Sequence, residues 1–237
     1  MADVLNAQEA VAVLNRSALP AVVTEGATDY RAMRKIEERL SDCGVDFLPL
    51  GGKSMVLEVW SNLSAERRRR TVVLLDLDMW LFYGVPDQYI DENVVLTRGY
   101  SIENDIALDF DFSRLMDSTE MNHFRADLDK VAVAHAIEIE KGRAGGTCEI
   151  SKHPNQILSD HDASRALSPD EARMKDVIVR FHKQALRGHT LMQLLTRHLS
   201  HPRRKAKFSY HQLMELGSMD LGECLLDIES RIRRALC

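Results

Sequence analysis

In the first half of the chain, short runs of β-forming apolar residues alternate with stretches whose apolar positions recur every three or four residues. Leu19 to Thr24 (LPAVVT) predicts a strand, and the stretch from Asp29 to Leu40 then sets Tyr30, Met33, Ile36 and Leu40 on one helical stripe. A short strand around Val45 to Leu48 and the turn PLGGKS follow. After the turn, Val56, Val59, Trp60 and Leu63 fall at i, i+3, i+4 and i+7 of a helix. The third strand lies in RTVVLLDLDMW (Arg70 to Trp80), where Thr71 to Leu75 reads as buried on both faces. A fourth, NVVLT (Asn93 to Thr97), leads through RGYS into a helix whose expected N-cap is Ser101. This alternation predicts an α/β fold with a parallel central sheet of about four strands flanked by helices.

Beyond Ile102 the strand signal fades. Helical periodicity runs through Met121, Phe124, Leu128 and Val131, and later through Leu191, Leu194, Leu195 and Leu199. The stretch KGRAGGTCEISKHPNQILSDHDASRALSPDE between them, rich in Gly, Ser, Asp and Pro, reads as a long loop or mobile insertion around 142–170. The expected organisation is an N-terminal helix (1–18), a sheet domain (19–111) and a mainly helical C-terminal region (112–237).

Acidic residues stand where three of these strands end. Glu25 follows AVVT, Asp76 and Asp78 follow TVVLL, and Glu103 sits in the first turn of the helix after VVLT. In an open α/β sheet ligands bind outside the carboxyl ends of the strands, so parallel neighbours would bring these acids to one edge. At about 4 Å and an effective dielectric near 20, each carboxylate pair costs roughly 4 kcal/mol, which protons or cations must offset. Hard oxygen ligands select Mg²⁺ or Mn²⁺, and such ions can clamp the oxygens of a phosphodiester. Each acid also has a plainer reading: Asp78 as a cap, Glu25 as a surface residue beside Gly26, Glu103 as a complement to the helix dipole. Asp76, directly after five buried-type residues, is the hardest to explain that way.

Lys53 in GGKS can reach a phosphate or neutralise the acids from a helix N-terminus, although a lysine at a helix start is equally ordinary. A full phosphate-binding loop would need glycine where Phe47 stands, so nucleotide binding there is rejected.

Composition narrows the class. The chain has 237 residues, 45% of them apolar, enough for a substantial core. It has no run long enough to cross a bilayer and no signal-peptide pattern in its first residues, so a cytoplasmic location is expected. Cys43, Cys148, Cys224 and Cys237 are scattered and are expected to be free thiols. Net charge of −5 argues against polyanion binding by the whole surface. Two basic clusters, ERRRRT (Glu66 to Thr71) and HPRRKAKF (His201 to Phe208), are solvated linkers or phosphate-backbone contacts. In the second, Arg203, Arg204, Lys205 and Lys207 are the candidate nucleic-acid contacts.

Glu25-Gly26 after the first strand and Asp76-x-Asp78 after the third resemble the Toprim domain of topoisomerases, primases and overcoming-lysogenization-defect nucleases. The phrases VVTEGATDYRAMRKI, FLPLGGKSMVLEVW, VVLLDLDMW, YSIENDIALD and RGHTLMQLL are similar to one branch. That branch comprises Toprim-like proteins paired with an AAA-type ATPase in anti-phage islands such as the PARIS system. The similarity covers roughly Pro20 to Asp109 and reaches the later helices only through the last phrase. It implies a Toprim-like Rossmannoid sheet, with Glu25, Asp76 and Asp78 as the acids that bind Mg²⁺ or Mn²⁺ and Glu25 also a general acid or base. Glu103 of SIEN is a further ligand candidate. It also implies an endonuclease toxin that cleaves transfer RNA once its ATPase partner releases it, and a homodimer. Asp29 and His189 fit the family phrases too, but the favoured reading is the plainer one, Asp29 serving the first turn of a helix and His189 starting one.

Two other functions fit parts of the pattern. A phosphatase or phosphotransferase of the haloacid-dehalogenase type also ends a strand in D-x-D, with Asp76 as nucleophile, but normally does so on its first strand. A non-catalytic Toprim-shaped subunit would use the acids only to hold a cation or a partner.

Overall fold

The computed structural model describes residues 5–26, 31–160 and 165–237. Along the chain come α1 (Ala7–Arg16), β1 (Ala21–Thr24), α2 (Arg31–Arg39), β2 (Asp46–Pro49), α3 (Lys53–Asn62), α4 (Ala65–Arg68) and β3 (Thr71–Leu75). Next are α5 (Trp80–Tyr83), β4 (Val94–Leu96), α6 (Ile102–Asp109), α7 (Ser118–Arg143), α8 (Pro154–Asp160) and α9 (Pro169–Arg180). The last are α10 (His182–Ala185), α11 (Gly188–Leu199), α12 (Tyr210–Gly217) and α13 (Glu223–Leu236). The chain forms two compact units: a sheet unit of Met1–Leu77, Val85–Thr97 and Ser218–Cys237, and a helical unit of Asp78–Gly84 and Arg98–Gly217. Among the described residues no helix is long and apolar enough to cross a membrane.

The sheet unit carries the expected α/β architecture, a four-stranded sheet in the order β2-β1-β3-β4. All three pairings are parallel, with Val23 opposite Leu48 and Val73, and Leu74 opposite Val95. β1 and β3, in the middle, are buried along their whole length, which is why they read as unbroken apolar runs. The stripe predicted for α3 is present: Val56, Val59 and Trp60 are buried in it, and Leu63 just after it. Asn6 caps α1 through a reciprocal box with Glu9. β4 is an edge strand, and the Arg231 guanidinium of α13 donates to the carbonyls of Leu96 (3.4 Å) and Val94 (3.3 Å), shielding that edge.

The expected boundaries at 18 and 111 do not coincide with these units. α13, placed by the sequence in the helical region, packs on α2, β3 and β4, burying Leu225, Ile228 and Ile232. Amphipathic spacing identifies a helix but not the layer it covers. The expectation of four free thiols is also corrected. Cys43 and Cys237 form a disulfide, with Cα atoms 5.4 Å apart, and stand 194 positions apart in sequence. Beside it Arg233 bonds Asp42 (2.8 Å), Glu229 (2.9 Å) and the Arg39 carbonyl, so α13 is clipped to the end of α2. Cys148 and Cys224 are free.

The helical unit is organised around α7, a helix of 26 residues against which α8, α9 and α11 pack. Its buried Phe124, Leu128 and Val131, and Leu191, Leu194, Leu195 and Leu199 of α11, are the residues the periodicity marked. The stretch expected to be a loop around 142–170 instead contains α8, whose Ile157 is buried. Residues 161–164 of that stretch lie outside the described residues.

Candidate functional site

Within the sheet unit, the parallel register of β1 and β3 brings their carboxyl ends level, so that Glu25 and Asp76 emerge on neighbouring strands. The contact is direct: the Asp76 amide donates to Glu25 Oε1 at 2.8 Å, and both residues are half-buried. Sequence separation is 51 residues, so only strand order creates this pair. The turn after β2 is stitched to the same place. Leu50 N–H donates to the Thr24 carbonyl (2.8 Å) and Gly52 N–H to the Glu25 carbonyl (2.7 Å). Gly52 has φ +101°, a left-handed conformation that a side chain would strain.

From that turn α3 begins at Lys53, and its ammonium donates to the main-chain carbonyls of Asp76 (2.5 Å) and Leu77 (3.1 Å). On the other side, Leu77 N–H donates to Thr97 Oγ1 at 3.0 Å, just beyond β4. The loop carrying Asp76 is thus fixed by a lysine from one neighbouring connection and a threonine from the next. Lys53 meets the loop that carries Asp76 at its main-chain carbonyls.

Within the helical unit, Asp78 is the one non-glycine residue at positive φ (+50°) among the described residues. Aspartate tolerates this left-handed conformation better than most side chains, and such residues repay attention at functional sites. Its amide donates to the Tyr100 carbonyl (2.7 Å), and its carbonyl accepts from Leu81 N–H (3.1 Å) at the entry to α5. Ser101 stands at the N-cap of α6, as expected, with its amide on Asn104 Oδ1 (3.0 Å).

Glu103 has a structural job there. One oxygen accepts from the Ser101 hydroxyl (2.6 Å) and the other from the Tyr210 hydroxyl (3.0 Å). Both carboxylate oxygens of Glu103 are thus engaged by protein hydroxyls. His189 stacks obliquely on Tyr210, with ring centres 5.0 Å apart, and meets Gln193 at 2.9 Å. Gly188 explains the juxtaposition of the SIEN and RGHT phrases, because a Cβ there would lie 2.1 Å from Ser101 Oγ and 2.6 Å from Asn104 Oδ1.

No protein-family model matches the chain, and no curated protein sequence matches it.

Among the described residues no group of three or more His, Cys, Asp and Glu side chains is arranged to hold a metal ion. In the sheet unit Glu25 and Asp76 lie on adjacent strands, and the Glu25 carboxylate touches the Asp76 main-chain amide. Their donor set is hard carboxylate oxygen, which fits Mg²⁺ or Mn²⁺, ions that commonly take one or two protein carboxylates. Asp78 opens the helical unit two residues after Asp76, and Glu103 lies in that unit too. Asp29 falls outside the described residues.

The basic clusters are partly structural. In ERRRRT, Arg67 is buried and donates to the Ser17 carbonyl (3.1 Å). Arg68 lies 5.2 Å from the Trp60 ring and donates to the carbonyls of Trp60 and Ser61 (2.9 Å each). In HPRRKAKF, Arg204 pairs with Glu120 and donates to the carbonyls of Leu115 (2.6 Å) and Ala206 (2.7 Å), so its guanidinium is engaged within the fold. Arg204, helped by His201, pulls the Glu120 carboxyl down to about 2. Arg203, Lys205 and Lys207 remain exposed.

The sequence reading missed Asp105. It is fully buried in α6 and accepts the amides of Gly99 (2.8 Å) and Arg98 (3.0 Å), so it shapes the RGYS turn. Burial pushes its carboxyl up to about 6 despite those bonds. The available signal was the helix's run of apolar neighbours around a second acid, which a strand-end search passes over.

Proposed function

We propose that this protein is a Toprim-like, metal-dependent nuclease that hydrolyses phosphodiester bonds. It would act as the cytoplasmic toxic effector of an anti-phage system, with transfer RNA as the favoured substrate and an AAA-type ATPase as the controlling partner. The observation that supports the reaction class is the placement of Glu25 and Asp76 just past the carboxyl ends of two adjacent parallel strands, with Glu25 Oε1 accepting the Asp76 main-chain amide. The anti-phage role and the substrate rest on the resemblance of the motifs around Glu25, Asp76 and Asp78. In this reading Glu25 and Asp76 hold the ion, Asp78 serves the same acidic loop, and Lys53 keeps that loop in place through its carbonyls. Bound Mg²⁺ or Mn²⁺ would supply Lewis acidity at the phosphoryl oxygens and a more acidic water. Glu25 is the group assigned to position water or handle its proton.

The test is cleavage of transfer RNA, plasmid and single-stranded DNA with Mg²⁺ or Mn²⁺, comparing wild type with Glu25→Ala and Asp76→Asn. Metal-dependent cleavage lost in both variants is expected, together with relief of growth arrest on expression. Equal activity in wild type and variants would reject the assignment. A phosphoryl adduct trapped on Asp76 with small monoesters would identify a phosphotransferase instead.

A further inference from the structure

The helical unit contains a cavity of about 520 Å³ that no part of the proposed nuclease reading uses. Its walls come from α6, α7, α9, α10 and α11, with Phe112, Met116, Phe124, Leu128, Leu191 and Leu195 forming the apolar body. Protein interiors are otherwise close-packed, and an apolar volume of this size with a few convergent polar groups has the make-up of a small-molecule site.

The lining carries two cations, Lys183 and Arg125, and two carboxylates, Asp111 and Asp129. Lys183 Nζ bonds Asp111 Oδ1 at 2.9 Å, and that bond holds the Asp111 carboxyl below its ordinary range. Asp129, the other acid in the lining, is already answered by Lys175 at 2.6 Å. Arg125 also lines the cavity, is exposed and makes no ion pair among the described residues. His182 stays neutral more readily than an ordinary histidine, because it is buried and lies near Lys183 and Arg125. With both carboxylates already paired, Arg125 leaves a local excess of positive charge on the rim. A cationic ligand would meet this excess, a fully polar one would set its hydrogen-bonding groups against Phe and Leu, and a purely apolar one would leave Arg125 unused.

We propose that this cavity binds a small amphipathic anion, an aliphatic or aromatic carboxylate, with its apolar body among Phe124, Leu128 and Leu191 and its carboxylate on Arg125 and Lys183. The site has a mechanical link to α6. Ala107 of α6 lines the cavity, and one turn earlier Asn104 donates to the carbonyls of Lys183 and Leu186 at 2.9 Å each. Occupancy therefore bears on the helix that carries Glu103 and Asp105. The inference stands independently of nuclease activity.

The probe is anilinonaphthalene sulfonate, an apolar aromatic anion, titrated into the whole chain and followed by fluorescence. Saturation at one site per chain is expected, with displacement by decanoate and not by decyltrimethylammonium. Arg125→Glu, on the exposed rim, should weaken binding by about fivefold or more, the loss of one charge-assisted contact. Leu128→Trp, which fills the cavity, should abolish it. Equal displacement by decanoate and decyltrimethylammonium, or wild-type affinity in Arg125→Glu with an unchanged circular dichroism spectrum, would overturn the proposal. If Leu128→Trp does not fold, Arg125→Glu decides alone.

Discussion

β1 and β3 bury every residue of their bodies and present Glu25 and Asp76 just past the last buried position, whereas α6 buries Asn104 and Asp105 along its own length. In the sheet unit the apolar strands set the positions and the carboxylates are displayed at their ends. In the helical unit carboxylates are consumed as internal anchors: Asp105 by two backbone amides, Glu103 by two hydroxyls, Glu120 by Arg204 and His201. The same residue type is therefore a candidate for chemistry in one unit and a structural acceptor in the other. What separates them is place: Glu25 and Asp76 follow the ends of buried strands, whereas Glu103, Asp105 and Glu120 sit within or at the start of packed helices.

The sharpest way to break this contrast is to compare acids between the units in the nuclease assay. Asp76→Asn should lower the cleavage rate by about 10³-fold or more, and Glu103→Gln by no more than about tenfold, since the first removes a proposed ion ligand and the second an anchor. Equal losses would show that Glu103 shares the role of Asp76. The next largest effect is on stability. Arg204→Ala should destabilise the helical unit by on the order of 3 kcal/mol in urea unfolding, because it leaves the nearly buried Glu120 without its cation. Lys205→Ala, one residue on and exposed, should stay within about 0.5 kcal/mol.

Glycines sharpen the comparison at a smaller scale. Gly188→Ala forces a Cβ against Ser101 and Asn104 and should cost about 1–3 kcal/mol. At Gly26 of the sheet unit a Cβ would meet nothing within 4 Å, so Gly26→Ala should be near neutral by the same unfolding measurement.

The mildest effects are in pH. Asp105 holds its proton to about pH 6 in the fold and only to about 3.8 when exposed, so its contribution is fully present below the lower value. It is lost as pH rises through about 6. Glu120 runs the other way: its contribution is present above about 4.5 and is lost as pH falls toward about 2. Urea midpoints measured from pH 3 to pH 7 should lose their slope between about 4 and 6 in Asp105→Asn. They should lose it below about 4.5 in Glu120→Gln.

This division also explains what could be read from the chain. Parallel strands were legible because burial on both faces leaves unbroken runs such as Thr71 to Leu75, and the position of an acid after such a run follows directly. The helices of the second half were legible as helices through Phe124, Leu128 and Val131. Their partners were not, because a stripe does not name the surface that covers it: α13 joined the sheet, and α8 formed inside a stretch of loop-like composition. The surroundings of Glu103 were not legible for a related reason. Its hydroxyl donor Tyr210 lies 107 residues away, beyond anything local spacing encodes. Arg204 looked like a surface cation because its cluster is rich in charge, yet its guanidinium holds an acid and two carbonyls.

The bond between Cys43 and Cys237 gives the chain a different covalent topology. Residues 43 to 237 form a closed ring, and every residue of the helical unit lies on it. A single backbone cut within the ring, for example between Gly145 and Gly146, opens the circle without releasing a fragment. On a gel without reductant the nicked protein should therefore remain one covalent piece of unchanged mass, and two pieces should separate only when the disulfide is reduced.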